Sequence, residues 1–295
     1  MQVSRFAWPN GIDLGVIALV IGLLVFAVPT SVFVIETSWT GEEGAHGPIV
    51  LATGLWLAHR RWNEVKHLRE KPNPLLFWTL FAVFVPLTIF ARVTQIVEIE
   101  GYMMYATILT VFYWLVGGTV LRKMWFPFLY LLFIFPPPET VIAAITLPMK
   151  MWLSVVAIRL LDLFGYPIAG EGVRIYIGQY ELLVEAACSG INSIISLTAI
   201  SLFYIYMRHQ ADWKYSLLLV ALVIPVALFA NFIRVIVLIL LTYHMGEAAA
   251  QGFLHNFAGL MLFAAALLTI FALDAILKPA WDRLRGENAM EAGHE

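Results

Sequence analysis

Long apolar runs separated by short charged or turn-rich breaks make up most of the chain. A helix of about 20 apolar residues crosses a bilayer core about 30 Å thick, and several runs reach or approach that length. The runs predict about eight membrane-spanning helices. These cover residues 12–35, 46–59, 75–92, 102–121, 124–137, 189–207, 215–243 and 255–277. The second and fifth runs are short, which favours tilted or partly interfacial helices there.

Composition supports a membrane protein and excludes most other classes. Apolar and aromatic residues make up 61% of the 295 residues, and charged residues only 13%, about half the share of a soluble domain. So little polar material cannot coat a water-soluble core, and the net charge of −2 argues against a basic nucleic-acid surface. The predicted fold class is therefore an all-α polytopic membrane protein whose apolar surface is solvated by lipid.

The distribution of positive charge predicts which helix ends face the cytoplasm. With the N-terminus inside, 13 of the 18 lysines and arginines fall in cytoplasmic segments, as the positive-inside rule requires. Both termini are then cytoplasmic. We expect one integral-membrane domain over residues 1–278, followed by a short, mobile cytoplasmic tail over residues 279–295.

The longest stretch between predicted spans, residues 138–188, is then extracytoplasmic. It follows two prolines and itself begins with a third, and such a run cannot continue a helix. Residues 141–164 are apolar with few charges, which predicts one or two interfacial helices. Two runs rich in β-branched and aromatic residues, 172–177 and 180–184, flank a Gly-containing two-residue break. That pattern predicts a small β-hairpin.

Cys188 is the first of three residues with candidate catalytic chemistry near the predicted outer surface. It is the only cysteine, so a disulfide within the chain is impossible. It lies where the sixth span begins, and the positive end of a helix dipole favours a thiolate there. The alternative is an inert buried thiol.

Arg234 and His255 are the other two candidates. Arg234 lies 20 residues after Lys214, about 30 Å along the seventh span, and Asn231 lies on the same helix face. A snorkelling arginine and an asparagine bonded to a neighbouring helix are the alternatives. His255 opens the eighth span and is the candidate acid-base group. The alternative is a plain interfacial histidine, and His244, in the preceding loop, is the other candidate for the acid-base role. Thiol, guanidinium and imidazole at one depth make nucleophilic catalysis plausible.

These motifs, in this order, resemble the exosortase/archaeosortase family. The matching segments are Ala187-Cys188-Ser189-Gly190, Asn231-x-x-Arg234, His255 with Gly259, His46-Gly47-Pro48, Arg60-Arg61, Phe135-Pro136-Pro137-Pro138 and Glu171-Gly172. The resemblance covers about residues 45 to 275. It implies a membrane-embedded cysteine transpeptidase in the inner membrane of a bacterium, with its active site facing outside and with no cofactor or metal.

The resemblance also implies partners and residue roles. The partners would be membrane lipid and proteins with a C-terminal tail, which combines a Pro-Glu-Pro-like motif, an apolar span and a basic cluster. The acceptor nucleophile is unknown, and no nucleic acid is involved. By position, Cys188 would be the nucleophile, Arg234 the stabilising cation and His255 the acid-base group.

Several weaker candidates and two other functional classes stay open. Asn231, Ser189 and Glu185 are possible supporting residues. The hairpin near residues 173–184 either pairs with the extended tail motif or only covers the helices. A transporter with Arg234 as an anion site would show polar residues along several spans and often internal repeats. A non-catalytic scaffold of envelope or exopolysaccharide assembly would not need its cysteine.

Overall fold

The computed structural model describes residues 14–39, 46–135, 137–183, 190–209, 212–246 and 253–291. These residues form ten α-helices, three short strands and a few single helical turns. The chain packs as two compact units, Met1–Pro136 and Pro137–Glu295. The all-α polytopic class is confirmed, whereas the single domain over residues 1–278 stays a prediction.

Six helices build the first unit. They are α1 Leu14–Val34, α2 Gly47–Val65, α3 Pro74–Thr94, α4 Val97–Val116, α5 Gly118–Lys123 and α6 Trp125–Leu131. A π-helical turn, Ile35–Trp39, continues α1, and 3-10 turns at Lys66–Leu68 and Leu132–Ile134 follow α2 and α6. Helices α3 and α4 form an antiparallel hairpin, α1 packs on α4, and α2 packs on α6.

Polar groups inside the first unit fix α1 against the α3–α4 hairpin. Arg92 of α3 donates from Nε to Glu100 Oε1 of α4 at 2.9 Å, and its guanidinium also bonds Thr30 of α1. Thr30 Oγ1 donates to the same Glu100 oxygen at 2.5 Å. Glu100 is only 3% exposed, and a charge that deep is tolerated because it is paired and hydrogen-bonded.

Gly117 explains why the predicted span 102–121 is two helices. It joins α4 to α5 with a φ of +84°, a conformation that favours glycine. Glu70 lies directly against it, donating its backbone N–H to Val116 O at 3.2 Å. The Glu70 carboxylate accepts from the Thr119 N–H at 2.7 Å, and this bond holds the pKa of Glu70 below its usual range. The contact is therefore present at neutral pH and is lost as pH falls through the lowered pKa.

Replacing Gly117 with alanine should destabilise the first unit. A Cβ there would lie 2.4 Å from Glu70 Cγ and 2.6 Å from the Glu70 carbonyl oxygen. Left-handed backbone and overlap together should cost about 1–3 kcal/mol, visible as a lower thermal unfolding midpoint in detergent. Gly118→Ala is the matched control, because its Cβ would meet its nearest atom at an ordinary 3.5 Å. Equal midpoints for the two variants would contradict this account of the helix break.

The second unit combines four helices with a three-stranded sheet. The helices are α7 Glu139–Leu163, α8 Gly190–His209, α9 Trp213–Met245 and α10 Phe253–Glu291, and the strands are β1 Ile168–Glu171, β2 Arg174–Ile177 and β3 Tyr180–Leu183. The sheet is antiparallel in the order β1-β2-β3. Ile175 and Ile177 of β2 are fully buried and pack against Leu153 and Ala157 of α7 and against α9.

The predicted β-hairpin is confirmed. Ile177 pairs with Tyr180 across the two-residue turn, and Gly178 in that turn has a φ of +56°. The sequence pattern missed β1, whose Ala-Gly-Glu end carries little β propensity. Close packing holds β1 in place, because a Cβ at Gly170 would lie 2.4 Å from the Ile158 Cδ1 atom of α7.

Six described helical segments are long and apolar enough to cross a membrane. They are Ile17–Trp39, Pro74–Thr94, Glu98–Val116, Thr140–Leu163, Trp213–Met245 and Phe263–Leu284. Five of them match predicted spans. The predicted spans 46–59, 124–137 and 189–207 are helical as α2, as the short α6 with its 3-10 turn, and as α8.

Two predicted segments differ from the structure. The stretch expected to hold one or two interfacial helices is a single 25-residue helix, α7, which is long and apolar enough to cross a membrane. Its interfacial placement stays a prediction. The tail expected to be mobile after Lys278 is helical as far as Glu291. Trp281 explains its first turns, since its Nε1 donates to Asp212 Oδ2 at 3.0 Å and fixes α10 to the start of α9.

Candidate active site

Arg234 and Asn231 lie on the buried face of α9. They are 8% and 5% exposed, and the same face carries Val235 and Leu238. The helix continues 11 residues past Arg234, about 16 Å, so Arg234 lies well inside the helix. A snorkelling arginine would expose its charged end. The burial therefore favours a cation held inside the helix bundle.

The other predicted site residues are less completely described. Cys188, Ser189 and Glu185 lie outside the described residues, between the end of β3 at Leu183 and the start of α8 at Gly190. His255 belongs to the first turn of α10, but its side chain is also outside the described part. The structure thus gives the elements that carry the three residues, and contact among their side chains stays a prediction.

A buried polar cluster ties these same three helices together at their other end. Asp274 of α10 accepts hydrogen bonds from Tyr204 of α8 at 2.5 Å and from Tyr215 of α9 at 2.9 Å. His209 of α8 places its Nε2 atom 2.8 Å and 3.0 Å from the two carboxylate oxygens. Asp274 is 4% exposed and His209 7%. We call these four residues the Asp274 cluster.

The Asp274 cluster gives a common origin from which heights along the bundle can be measured. Gly190 lies 19 residues before His209 on α8, and His255 lies 19 residues before Asp274 on α10. Arg234 lies 19 residues after Tyr215 on α9, which runs antiparallel to the other two. Each interval corresponds to about 28 Å of helix. Helix rise alone thus predicts similar heights along the bundle for the backbones of Gly190, Arg234 and His255.

Buried apolar contacts connect the two levels. Leu197 of α8, Leu219 and Val223 of α9, and Ala266 and Ile270 of α10 form one continuous core, with each of them at most 4% exposed. Such packing holds three helices in a fixed register. The helix segment that carries Arg234 is thereby held in register with the segments leading to the N-termini of α8 and α10.

The sequence analysis missed the Asp274 cluster. The available signal was a lone acidic residue near the end of the predicted span 255–277, together with a histidine just after span 189–207. An ionisable residue inside a membrane segment needs a partner, but the pattern alone does not identify that partner. In the described part of the chain, no group of three or more His, Cys, Asp or Glu residues could hold a metal ion.

Removing the Asp274 carboxylate should destabilise the second unit. Asp274→Ala leaves Tyr204, Tyr215 and His209 without their shared acceptor, which should cost about 3–5 kcal/mol. Thermal unfolding in detergent would show this as a midpoint lower by several degrees. Asp282→Ala is the matched control, because its carboxylate is half exposed and pairs only one helical turn away with Lys278. A similar loss in both variants would refute a special role for the cluster.

Comparison with known proteins assigns the chain to a class. The family described as transmembrane exosortase matches residues 38–272, most of the 295 residues. The chain therefore belongs to the transmembrane exosortase family and is a multi-pass membrane protein. No curated protein and no solved structure matches it. The resemblance inferred from the motifs around Cys188, Arg234 and His255 is confirmed at the level of the family.

Proposed function

We propose that this protein is a cysteine transpeptidase of the bacterial inner membrane. It would cut the C-terminal sorting tail of other proteins at the extracytoplasmic face of that membrane. It would then transfer the shortened proteins to an acceptor. One argument carries the proposal: α8, α9 and α10 pack together, and helix rise predicts similar heights for Gly190, two residues after Cys188, and for Arg234 and His255. Family membership supports the same function.

The proposed reaction passes through a thioester. The Cys188 thiolate attacks the carbonyl carbon of the scissile peptide bond, and the carbonyl oxygen becomes an oxyanion. The Arg234 guanidinium stabilises that charge. His255 donates a proton to the leaving amine, so the C–N bond breaks and the thioester forms. The acceptor nucleophile then gives a proton to His255, attacks the thioester and releases the Cys188 thiolate.

The burial of Arg234 suits this role. Its side chain is only 8% exposed, and a cation in a medium of low dielectric constant acts on a nearby oxyanion more strongly than it would in water. Asn231, three residues earlier and also buried, is well placed to orient the guanidinium. Ser189 and Glu185 flank Cys188 in sequence and remain candidate supporting residues.

Chain connectivity suggests how the tail could reach Cys188. Strand β3 ends at Leu183, five residues before Cys188. Five residues of extended chain span at most about 16 Å. Strand β3 lies at one edge of the described sheet. An extended tail motif added to that edge would bring a peptide bond within reach of the thiol while the apolar part of the tail stays in the bilayer.

Mass spectrometry of a tail-bearing protein would test the proposed function. The purified protein in liposomes is incubated with a substrate carrying a Pro-Glu-Pro motif, an apolar span and a basic cluster, with a scrambled motif as the control. The expected result is a shortened substrate cut at the motif, with any acceptor visible as added mass. If the enzyme is properly inserted and the substrate stays intact, the proposal is wrong. A liposome flux of small anions instead would favour a transporter.

His255→Ala should slow tail cleavage by about 10²–10⁴-fold, the usual contribution of a general acid-base group. His244→Ala is the matched control. The His244 ring is exposed, and its Nε2 lies 3.4 Å from the hydroxyl of Tyr166. Tyr166 lies two residues before the start of β1. Cleavage rates of the two variants in liposomes decide between the histidines. Full activity of His255→Ala together with an inactive His244→Ala would transfer the role to His244.

A further inference from the structure

The first unit contains an elongated cavity between α1, α2, α4 and α6. Its volume is about 350 Å³, within the range of sites that bind small ligands. Met104 and Phe112 of α4 both line it. These residues are eight positions apart, so the cavity extends about 12 Å along the helices.

The walls of the cavity are suited to a hydrocarbon ligand. Apart from Ser31, the polar side chains lining it are Trp39 and Tyr105, and both are already engaged. Trp39 Nε1 donates to Ile134 O at 3.2 Å, and the Tyr105 hydroxyl donates to Phe128 O at 2.9 Å. Apolar cavities of this kind exclude water and accept apolar molecules.

The cavity opens sideways between α1 and α2. Its most exposed lining residues are Leu55 of α2, at 55%, and Ile35 just after α1, at 40%. In a membrane protein this opening faces hydrocarbon. An extended acyl chain is the occupant that matches both the length and the volume.

One end of the cavity adjoins a concentration of positive charge. Ala58, Phe112 and Phe128 line that end and pack against the apolar cluster of Val65 and Met124. Residues 60–71 and 122–123 around it hold seven lysines and arginines and two glutamates. We call Arg61, Arg69, Arg122 and Lys123 the basic cluster.

Contacts of Arg61 and Arg69 hold part of the basic cluster at the ends of α2 and α5. Arg61 Nε donates to Lys123 O at 3.2 Å, which brings the ends of α2 and α5 together. The Arg69 guanidinium lies 4.7 Å from the centre of the Trp62 ring, which itself packs on Phe112. Both neighbouring acids are engaged, Glu64 by Arg61 and Glu70 by Thr119. The four cations of the cluster outnumber these two carboxylates, so the site presents net positive charge beside the apolar cavity.

We propose that the first unit binds one anionic phospholipid, with an acyl chain in the cavity and its phosphate on the basic cluster. Basic pockets between membrane helices recognise anionic headgroups by charge, and the adjoining cavity adds a place for the chain. The positive-inside rule explains basic residues at a cytoplasmic surface, but it does not require them to adjoin a chain-sized cavity. This lipid site does not depend on the proposed transpeptidase activity.

Native mass spectrometry of the delipidated full-length protein would test the lipid site. Phosphatidylglycerol and phosphatidylcholine with identical chains are titrated separately. The expected result is one tightly held phosphatidylglycerol, bound about tenfold or more tightly than phosphatidylcholine. Glycerophosphoglycerol, the headgroup without chains, should not displace it. Equal binding of the two lipids, or displacement by the headgroup alone, overturns the proposal.

Two sets of variants locate the lipid. Leu55→Trp places a large side chain at the mouth of the cavity and should abolish the tight adduct, whereas Leu87→Trp, at an exposed position on α3, should keep it. Arg122→Gln with Lys123→Gln should remove most of the preference for phosphatidylglycerol over phosphatidylcholine, and Arg208→Gln with Lys214→Gln should not. The side chains of Arg122 and Lys123 are both exposed, so the fold should survive their replacement. An unchanged adduct in both test variants would overturn the site.

Discussion

Cys188→Ala should lower the rate of tail cleavage by at least about 10⁴-fold, since loss of a covalent nucleophile leaves only binding and electrostatic effects. The protein should still insert and fold, because the substitution removes a single sulfur atom and adds neither bulk nor charge. Cleavage is measured by mass spectrometry of the tail-bearing substrate in liposomes. Intact-mass analysis of the wild-type enzyme should also reveal a transient adduct on Cys188.

Ser201→Ala is the control for the cysteine variant. It removes a fully buried hydroxyl from α8, the helix that follows Cys188 in the chain. This change is about as small as the loss of the cysteine sulfur and should keep activity within a few-fold. Normal tail removal by Cys188→Ala would refute the nucleophile and with it the proposed mechanism. A cysteine that is dispensable, and that membrane-impermeant thiol reagents fail to label from outside, would favour the scaffold.

Arg234→Gln should reduce cleavage by about 10²–10³-fold, the loss expected when one oxyanion-stabilising group is removed. The cleavage rate of Arg234→Lys should lie between those of the wild type and Arg234→Gln, because lysine keeps the charge but lacks the planar fork of the guanidinium. If Arg234 acts on the oxyanion, both variants should form the thioester slowly while binding the tail normally. Single-turnover kinetics with a trapped thioester separate those two steps.

Arg159→Gln is the control for charge removal in the same unit, because Arg159 is an exposed arginine on α7. Thermal unfolding must accompany the kinetics, since Arg234 is buried and its loss could also weaken packing. If the cleavage rate falls in proportion to the thermal unfolding midpoint across the Arg234 variants, Arg234 has a structural role only. Slow thioester formation at unchanged stability would place it beside the reacting atoms.

Hydrophobic patterning predicted the helices well because the bilayer imposes a simple requirement on the sequence. Every membrane segment must satisfy its own backbone hydrogen bonds and present an apolar surface, so runs such as 75–92 and 215–243 coincide closely with α3 and α9. Helix ends were less predictable. The break at Gly117 depends on Glu70, 47 residues earlier in the chain, and no local pattern contains that contact.

Polar partners inside the bundle were the main features that the pattern could not supply. The sequence shows Asp274, His209, Tyr204 and Tyr215 as isolated polar residues in or beside separate apolar runs. Only their packing reveals that three donors converge on one carboxylate. The same limit applies to the cavity of the first unit, whose walls come from helices distant in sequence.

The sequence by itself determined the membrane class, most of the helices, the β-hairpin and the family, because each depends on local periodicity or on short motifs of fixed spacing. The tertiary structure alone decided which polar groups are neighbours, and that Arg234 faces the bundle interior. It also decided that α8, α9 and α10 meet at one buried carboxylate, that of Asp274. The physical reason is that helix register is set by side-chain packing between segments, and such packing joins residues that the sequence keeps far apart.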